Sequence, residues 1–316
     1  MYRTILVPLD GSAFSEQALP LAGGLARAAG AVLHLVQVHN PVVTPDFAEG
    51  LVTSASFPSL DEAARANERA YLDRVVQRLR GVVEVPVSCA LLDDPIAASL
   101  DAEAQARQAG LIVMTTHGRG AFNRFWLGSV ADQLLRRSTT PILLMRPQET
   151  APELRHPPKL QRLLVPLDGS PLAEGILAPA QTLGKLSDAE YTLLQVLDPL
   201  LPAGRDAEGF VVSGLAPAAM KELKTQAEGY LTGVAGRMQA RPEAVQRRVV
   251  VGTQIAETIL EQAGALSVDA IAIATHGRGG WRRLLLGSVA DKVVRGAHVP
   301  VLVYRPAAPP EAGGAS

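Results

Sequence analysis

Short runs that are apolar at nearly every position alternate along the chain with longer stretches whose apolar residues recur every three or four positions. The runs Thr4–Leu9, Ala31–Val38, Glu84–Leu91, Leu111–Thr115 and Pro141–Met145 read as strands buried on both faces. Between them, Ser15–Ala29, Leu60–Arg80, Ile96–Ala109 and Ser129–Arg137 have helical spacing. In the second of these Tyr71, Val75, Val76 and Leu79 fall on one face. Turn signals between Val38 and Leu60 mark a loop. This order predicts a parallel sheet covered by helices on both sides, joined by right-handed crossovers, with ligands bound beyond the carboxyl ends of the strands.

The same order then repeats. Strands are expected at Leu163–Leu167, Tyr191–Leu197, Ala244–Val251, Ala270–Ala274 and Pro300–Tyr304, and helices at Leu172–Leu183, Pro217–Met238, Ile255–Ala265 and Ser288–Arg295. Ile5-Leu6-Val7-Pro8-Leu9-Asp10-Gly11-Ser12 matches residues 163–170 at seven of eight positions, an offset of 158. Residues 116–137 match 275–296 at 13 of 22 positions, an offset of 159. A nearly constant offset across distant blocks is the signature of a duplicated domain. The expected layout is a first domain over 1–146, a proline-rich linker over 147–159, a second domain over 160–306 and a disordered tail over 307–316.

Composition changes this picture little. Hydrophobic residues make up 47% and charged residues 19% of the 316, as for a globular chain that buries two cores without staples. A net charge of −1 removes any general electrostatic case for nucleic acid or an anionic membrane. Cys89 is the lone cysteine, read as core, and it excludes an intrachain disulfide. Met1–Pro8 lacks the pattern of a secretory signal and no apolar run reaches the length of a membrane span, so a cytoplasmic location is expected. Arg119, Arg124, Arg136 and Arg137 form the densest basic patch; they suit phosphate or line a solvated helix face.

The chemistry concentrates in the repeated blocks. Asp10 and Asp168 follow the first strand of each half, where a carboxylate can accept from an exocyclic amine or a ribose hydroxyl; Ser12 and Ser170 cap the next helix or touch the ligand. The second block runs Thr-His-Gly-Arg-Gly and later opens a helix at Gly128-Ser129-Val130, answered by Gly287-Ser288-Val289. Amides without helical partners and the helix dipole make such a start an anion site. Gly118 and Gly277 permit close backbone approach, and Arg119 and Arg278 lie within reach of phosphates. The block is neither a Walker A loop, having no Gly-Lys-Ser/Thr, nor a dinucleotide fingerprint. His117 and His276 are candidates for loop ordering or for a general base; no metal set recurs beside them. His34, His39, His156 and His298 do not recur. Asp93 and Asp94, set against Gly252 and Thr253, read as capping residues.

On these blocks the chain resembles tandem universal stress proteins of the ATP-binding subtype, whose motif is Gly-x2-Gly-x9-Gly-Ser/Thr. The resemblance implies two tandem five-stranded parallel-sheet α/β domains, adenine nucleotide alpha hydrolase-like and Rossmann-like, with helices on both faces. It also implies ATP as ligand, with or without Mg2+. Pro8, Asp10 and the Val38 backbone would flank adenine in one half, and Pro166, Asp168 and Val196 in the other. Gly118 and Gly277 would approach the ribose, and Gly128, Ser129, Val130, Gly287, Ser288 and Val289 the triphosphate. The motif's first glycine is replaced by Thr115 and Ala274, so the resemblance bears more directly on the second site. A nucleotide-binding regulatory stress-response protein is the leading expectation, with a homodimer and pairing of the two halves through their last strands. A slow ATP hydrolase or phosphotransferase and a nucleotide-free dimerisation scaffold are the alternatives.

Overall fold

The computed structural model describes residues 1–41, 43–46, 53–56, 58–116, 127–148, 153–199, 204–205, 211–212, 217–275 and 286–306. The chain divides into two compact units, Met1–Pro158 and Lys159–Ser316. The expected tail, 307–316, lies outside the described residues, as do 149–152 of the expected linker.

In the first unit the strands are β1 (Thr4–Leu9), β2 (Val32–His39), β5 (Val87–Asp93), β6 (Leu111–Thr115) and β7 (Ile142–Met145), with a hairpin of β3 (Val43–Asp46) and β4 (Thr53–Ser56) after β2. The helices are α1 (Ala13–Glu16), α2 (Leu19–Ala29), α3 (Pro58–Arg80), α4 (Ile96–Ala106) and α5 (Ser129–Arg137). The sheet order is β7-β6-β1-β2-β5, all parallel. The second unit repeats it with β8 (Arg162–Pro166), β9 (Glu190–Leu197), β12 (Val245–Val251), β13 (Ala270–Ala274) and β14 (Val301–Tyr304), the hairpin being β10 (Gly204–Arg205) and β11 (Val211–Val212). Its helices are α6 (Pro171–Glu174), α7 (Leu177–Gly184), α8 (Pro217–Arg237), α9 (Ile255–Ala265) and α10 (Ser288–Gly296), and its order is β14-β13-β8-β9-β12, again parallel.

Two features of the sequence sharpen these boundaries. The segment expected as one helix after β1 is two, α1 and α2. Pro20 has no amide to give Glu16, and its ring obstructs that carbonyl, so α1 stops at Glu16. Pro179 stands in the same relation to Gly175 and separates α6 from α7. Prolines also set strand starts: Pro86, Pro141 and Pro300 accept a bond from the neighbouring strand but cannot donate one, and β5, β7 and β14 begin at the next residue. The hairpins replace segments expected only as loops, because runs of four and two residues are too short for alternation to register.

Side-chain alternation along β2 identifies the two helical layers. His39 bonds Asp61 and Glu68 of α3, whereas His34 bonds Glu103 of α4. Residues of opposite parity face opposite sides of a strand, so α3 and α4 cover opposite faces. On α3 the stripe Leu72, Val75, Val76 and Leu79 is buried; on α8 it is Ala227, Leu231 and Val234. Cys89, expected in the core, is half-buried on β5, and burial raises its thiol pKa.

Candidate functional site

The strand order reverses between β1 and β6, and between β8 and β13, so each unit has a crevice at that switch point beyond the strand ends. Both repeated blocks converge there. Asp10-Gly11-Ser12 leaves the end of β1, and the helix it opens, α1, lies against β6, whose end carries the second block. In the second unit α6 lies against β13 in the same way.

The first block forms a closed turn. Asp10 Oδ1 accepts from the Ser12 amide at 2.9 Å and from the Ser12 hydroxyl at 2.6 Å. Ser12 Oγ accepts in turn from the Ser15 amide at 3.2 Å, capping α1. Asp168, Ser170 and Ala173 repeat the arrangement at 2.9, 2.6 and 3.1 Å. Gly11 at φ 81° and Gly169 at φ 85° occupy backbone that side-chain-bearing residues avoid. Ser12 and Ser170 are therefore caps, and they hold the half-buried Asp10 and Asp168 in one orientation. Pro8, Val38 and Val196 are half-buried near the strand ends and Pro166 is buried.

The second block returns to the end of its strand. Gly128 donates its amide to the Thr116 carbonyl at 2.8 Å, and Gly287 does so to Thr275 at 2.8 Å. This corrects the expected set of available amides: those of Gly128 and Gly287 are engaged, and the uncapped ones begin at Ser129 and Ser288. The N-cap residues, Gly128 and Gly287, have no side chain to cap either helix, and Ser129 and Ser288 are exposed with Val130 and Val289 half-buried beside them. Asp132 and Asp291 bond Gly128 and Gly287 through their amides. Thr115 and Ala274 both sit buried as the last strand residue. His117, Gly118, Arg119, Arg124, His276, Gly277 and Arg278 lie outside the described residues. Arg136 pairs with Asp132 at 2.8 Å and Arg137 with Asp101 at 3.6 Å, so these two arginines belong to a helix face.

Asp94 fills its expected capping role, accepting from the Ile96 amide at 3.0 Å, but Asp93 does not, since its carboxylate takes Arg65 at 2.6 Å. Strand register further pairs Val38 with Leu92 and Val196 with Val250, which sets Asp93 against Val251 rather than Gly252; one extra residue follows in the second unit. Among the described residues no group of three or more His, Cys, Asp or Glu is arranged to hold a metal.

Polar groups that the glycine motifs do not mark surround the first block. Glu16 at the end of α1 ion-pairs with Arg78 in the last turn of α3, and Glu174 pairs with Arg237 at 2.6 Å. Buried Gln37, in register with Leu9, has an Oε1 without a partner among the described residues, and so does Gln195. The buried hydroxyls of Tyr71 and Tyr230 lie beside Glu16 and Glu174, with no bond of ordinary geometry among the described residues. The signal for these residues is present in the repeat itself, as Tyr-Leu-x-x-Val-x-x-Arg at 71–78 and 230–237 and as Gln-Val at 37–38 and 195–196.

One cluster belongs to the first unit alone. Fully buried His39 lies 2.7 Å from Glu68 and 2.9 Å from Asp61, and Arg65 links Asp61 to Asp93. The corresponding positions in the second unit are Leu197, Met220 and Ala227. Burial pushes the His39 pKa down, but the bonds from Asp61 and Glu68 outweigh it and leave the pKa raised. Its contribution to stability is therefore complete below the unfolded value of 6.5 and fades as pH rises through the folded value. His34, held by Ser88 at 2.8 Å and Glu103 at 2.9 Å, has its pKa lowered by burial in spite of Glu103. Its contribution is present above 6.5 and is lost as pH falls through the lowered folded value. Relative to wild type, His39→Leu should flatten the alkaline side of a plot of unfolding midpoint against pH, and His34→Gln the acid side. Variant and wild-type curves running parallel throughout would contradict both assignments.

The sequence profile of the universal stress protein family matches residues 1–146 and 159–305. A universal stress protein of Mycobacterium tuberculosis is 33% identical over 202 residues, 63% of this chain and 63% of that relative. One of Mycolicibacterium smegmatis is 28% identical over 307 residues, 96% of this chain and 97% of the relative. A universal stress protein structure from Archaeoglobus fulgidus superposes with a TM-score of 0.66 at 19% identity, covering 96% of this chain and 98% of that one. The last similarity speaks to the fold alone.

Proposed function

The chain belongs to the universal stress protein family, and from that premise we propose that it is a regulatory protein which binds an adenine nucleotide, ATP, across the carboxyl ends of the strands in each unit. The observation that carries this reading is the uncapped start of α5 and α10, set at the switch point beside a fixed carboxylate and built the same way twice. The amides from Ser129 and Ser288 onward suit the triphosphate, since a helix N-terminus concentrates donors and partial positive charge. Asp10 and Asp168, oriented by their serines, suit the adenosine end. Mg2+ would accompany ATP as its counter-ion.

The test is mass spectrometry of whatever is released when the purified chain is denatured, together with titration of the emptied protein. ATP or ADP at up to two per chain is expected. A chain that releases none and binds none on titration would leave the scaffold reading in its place. Incubation with Mg-ATP separates binder from hydrolase, because a binder holds intact ATP for hours. Ser129→Ala and Ser288→Ala should each weaken binding in their own unit by about 0.5–1.5 kcal/mol, the scale of one net hydrogen bond. An unchanged affinity in both would remove the hydroxyls from the site.

A further inference from the structure

We propose that Glu16, Tyr71 and Arg78, with their repeats Glu174, Tyr230 and Arg237, are positioning residues that hold the Asp-Gly-Ser turn of each pocket in the geometry that receives the nucleotide. The inference rests on the adenine-nucleotide reading and adds to it residues outside every glycine motif.

The first support comes from what the duplicated helices share. Aligned at the offset of 159, residues 58–80 and 217–239 are identical at Pro58, Tyr71, Leu72, Val75 and Arg78. Leu72 and Val75, like Leu231 and Val234, are buried core. Proline at the first helical position suits a residue without an amide. That accounts for three of the five. The remaining two both lie by the glutamate that ends the four-residue helix after the Asp-Gly-Ser turn: the arginine ion-pairs with it, and its charge acts on the tyrosine.

The second support is mechanical. A helix of four residues has too few internal bonds to hold itself. Ser12 and Ser170 cap α1 and α6 at one end; at the other, Glu16 and Glu174 are tied across 62 and 63 residues to Arg78 and Arg237. The turn carrying Asp10 is thereby fixed between the sheet and α3, and the turn carrying Asp168 between the sheet and α8.

The third support is the tyrosine. Burial, then the charge of Glu16 and more weakly that of Asp10, raise the Tyr71 pKa; burial, Glu174 and Asp168 do the same to Tyr230. Each phenol thus stands near both the carboxylate that ties the helix and the one that faces the ligand. Phenylalanine would fill the same space without a buried hydroxyl to satisfy, so the glutamates beside the phenols, Glu16 and Glu174, are what the tyrosines serve. The arrangement occurs in both units, each with a buried glutamine, Gln37 or Gln195, whose Oε1 has no partner among the described residues. The hydroxyl is a donor set beside both carboxylates, where it can hold the turn that presents Asp10 or Asp168 to the adenosine.

The experiment uses the full chain carrying Tyr71→Phe and Tyr230→Phe, with Arg78→Gln/Arg237→Gln and Arg78→Lys/Arg237→Lys as companions. Affinities for ATP and for inorganic tripolyphosphate are measured by calorimetry, and unfolding midpoints alongside. Positioning of the adenosine end predicts a loss of roughly 2- to 10-fold for ATP in the tyrosine variant, tripolyphosphate affinity unchanged, and a recovery with lysine that glutamine does not give. Equal loss for both ligands, or ATP affinity equal to that of a wild type that does bind, would overturn the positioning role alone. A wild-type chain that binds no ATP would overturn the nucleotide reading and this inference with it.

Discussion

In a chain carrying both Gly128→Val and Gly287→Val, affinity for ATP is expected to fall by roughly two orders of magnitude or more while the fold stands. Gly128 has φ −60° and ψ 148°, and Gly287 −59° and 146°, an extended backbone that valine adopts readily. The bonds from their amides to Thr116 and Thr275 are backbone bonds, which the substitution leaves in place. The isopropyl group would instead cover the first uncapped amides, those of Ser129 and Ser288, where the phosphates lie in the proposed pocket. Hydrogen bonds to a charged group are worth about 1.5–3 kcal/mol each. Losing two per pocket corresponds to about 10²- to 10⁴-fold in affinity. Calorimetric titration checks the affinity, and circular dichroism and the unfolding midpoint check the fold. Full ATP affinity in a folded double variant would refute the assigned pocket.

Gly11→Val with Gly169→Val should act in the contrary way, through the fold first. At φ 81° and 85° a β-branched residue is strained whatever space surrounds it. Such strain costs about 1–3 kcal/mol per site, which in units of this size lowers an unfolding midpoint by roughly 2–4 °C per kcal/mol. The chain would relieve the strain by opening the turn, releasing Ser12 and Ser170 from Asp10 and Asp168, so ATP affinity should fall together with stability. Scanning calorimetry should show both units destabilised. Midpoints unchanged in both would mean that the turn tolerates a side chain, and the argument that glycine closes it would fail. The two pairs of variants thus separate the phosphate end, where binding is lost without stability, from the adenosine end, where the two are lost together.

Much of the fold is legible in local pattern. Strand assignments rest on short runs apolar at nearly every position and helix assignments on a period of 3.6 residues, and they hold to within one to three residues at most boundaries. Some of the misses have local causes. Pro20 and Pro179 divide helices that an alanine- and leucine-rich pattern makes look continuous. Ser12 and Asp10 suit both cap and ligand by residue type, and the 3.2 Å bond from the Ser15 amide shows the serine capping. Asp93 resembles a cap from its place at a strand end, and only the packing of α3 reveals Arg65 as its partner.

The alternation of strands and helices and the two glycine-bearing blocks are written in residues close together in the chain, and the duplication in the near-constant spacing at which those blocks recur. Tertiary structure decided which blocks meet. The order β7-β6-β1-β2-β5 sets β1 beside β6 and so brings Asp10 and Ser129 to one crevice, although more than a hundred positions part them. It also decided which amides are engaged, which glutamate answers Arg78, and that His39 is enclosed by two carboxylates where the second unit has Leu197. Hydrogen bonds and ion pairs act only over a few ångströms, so partners that the crossovers deliver from distant segments leave no mark in local pattern until the sheet has ordered them.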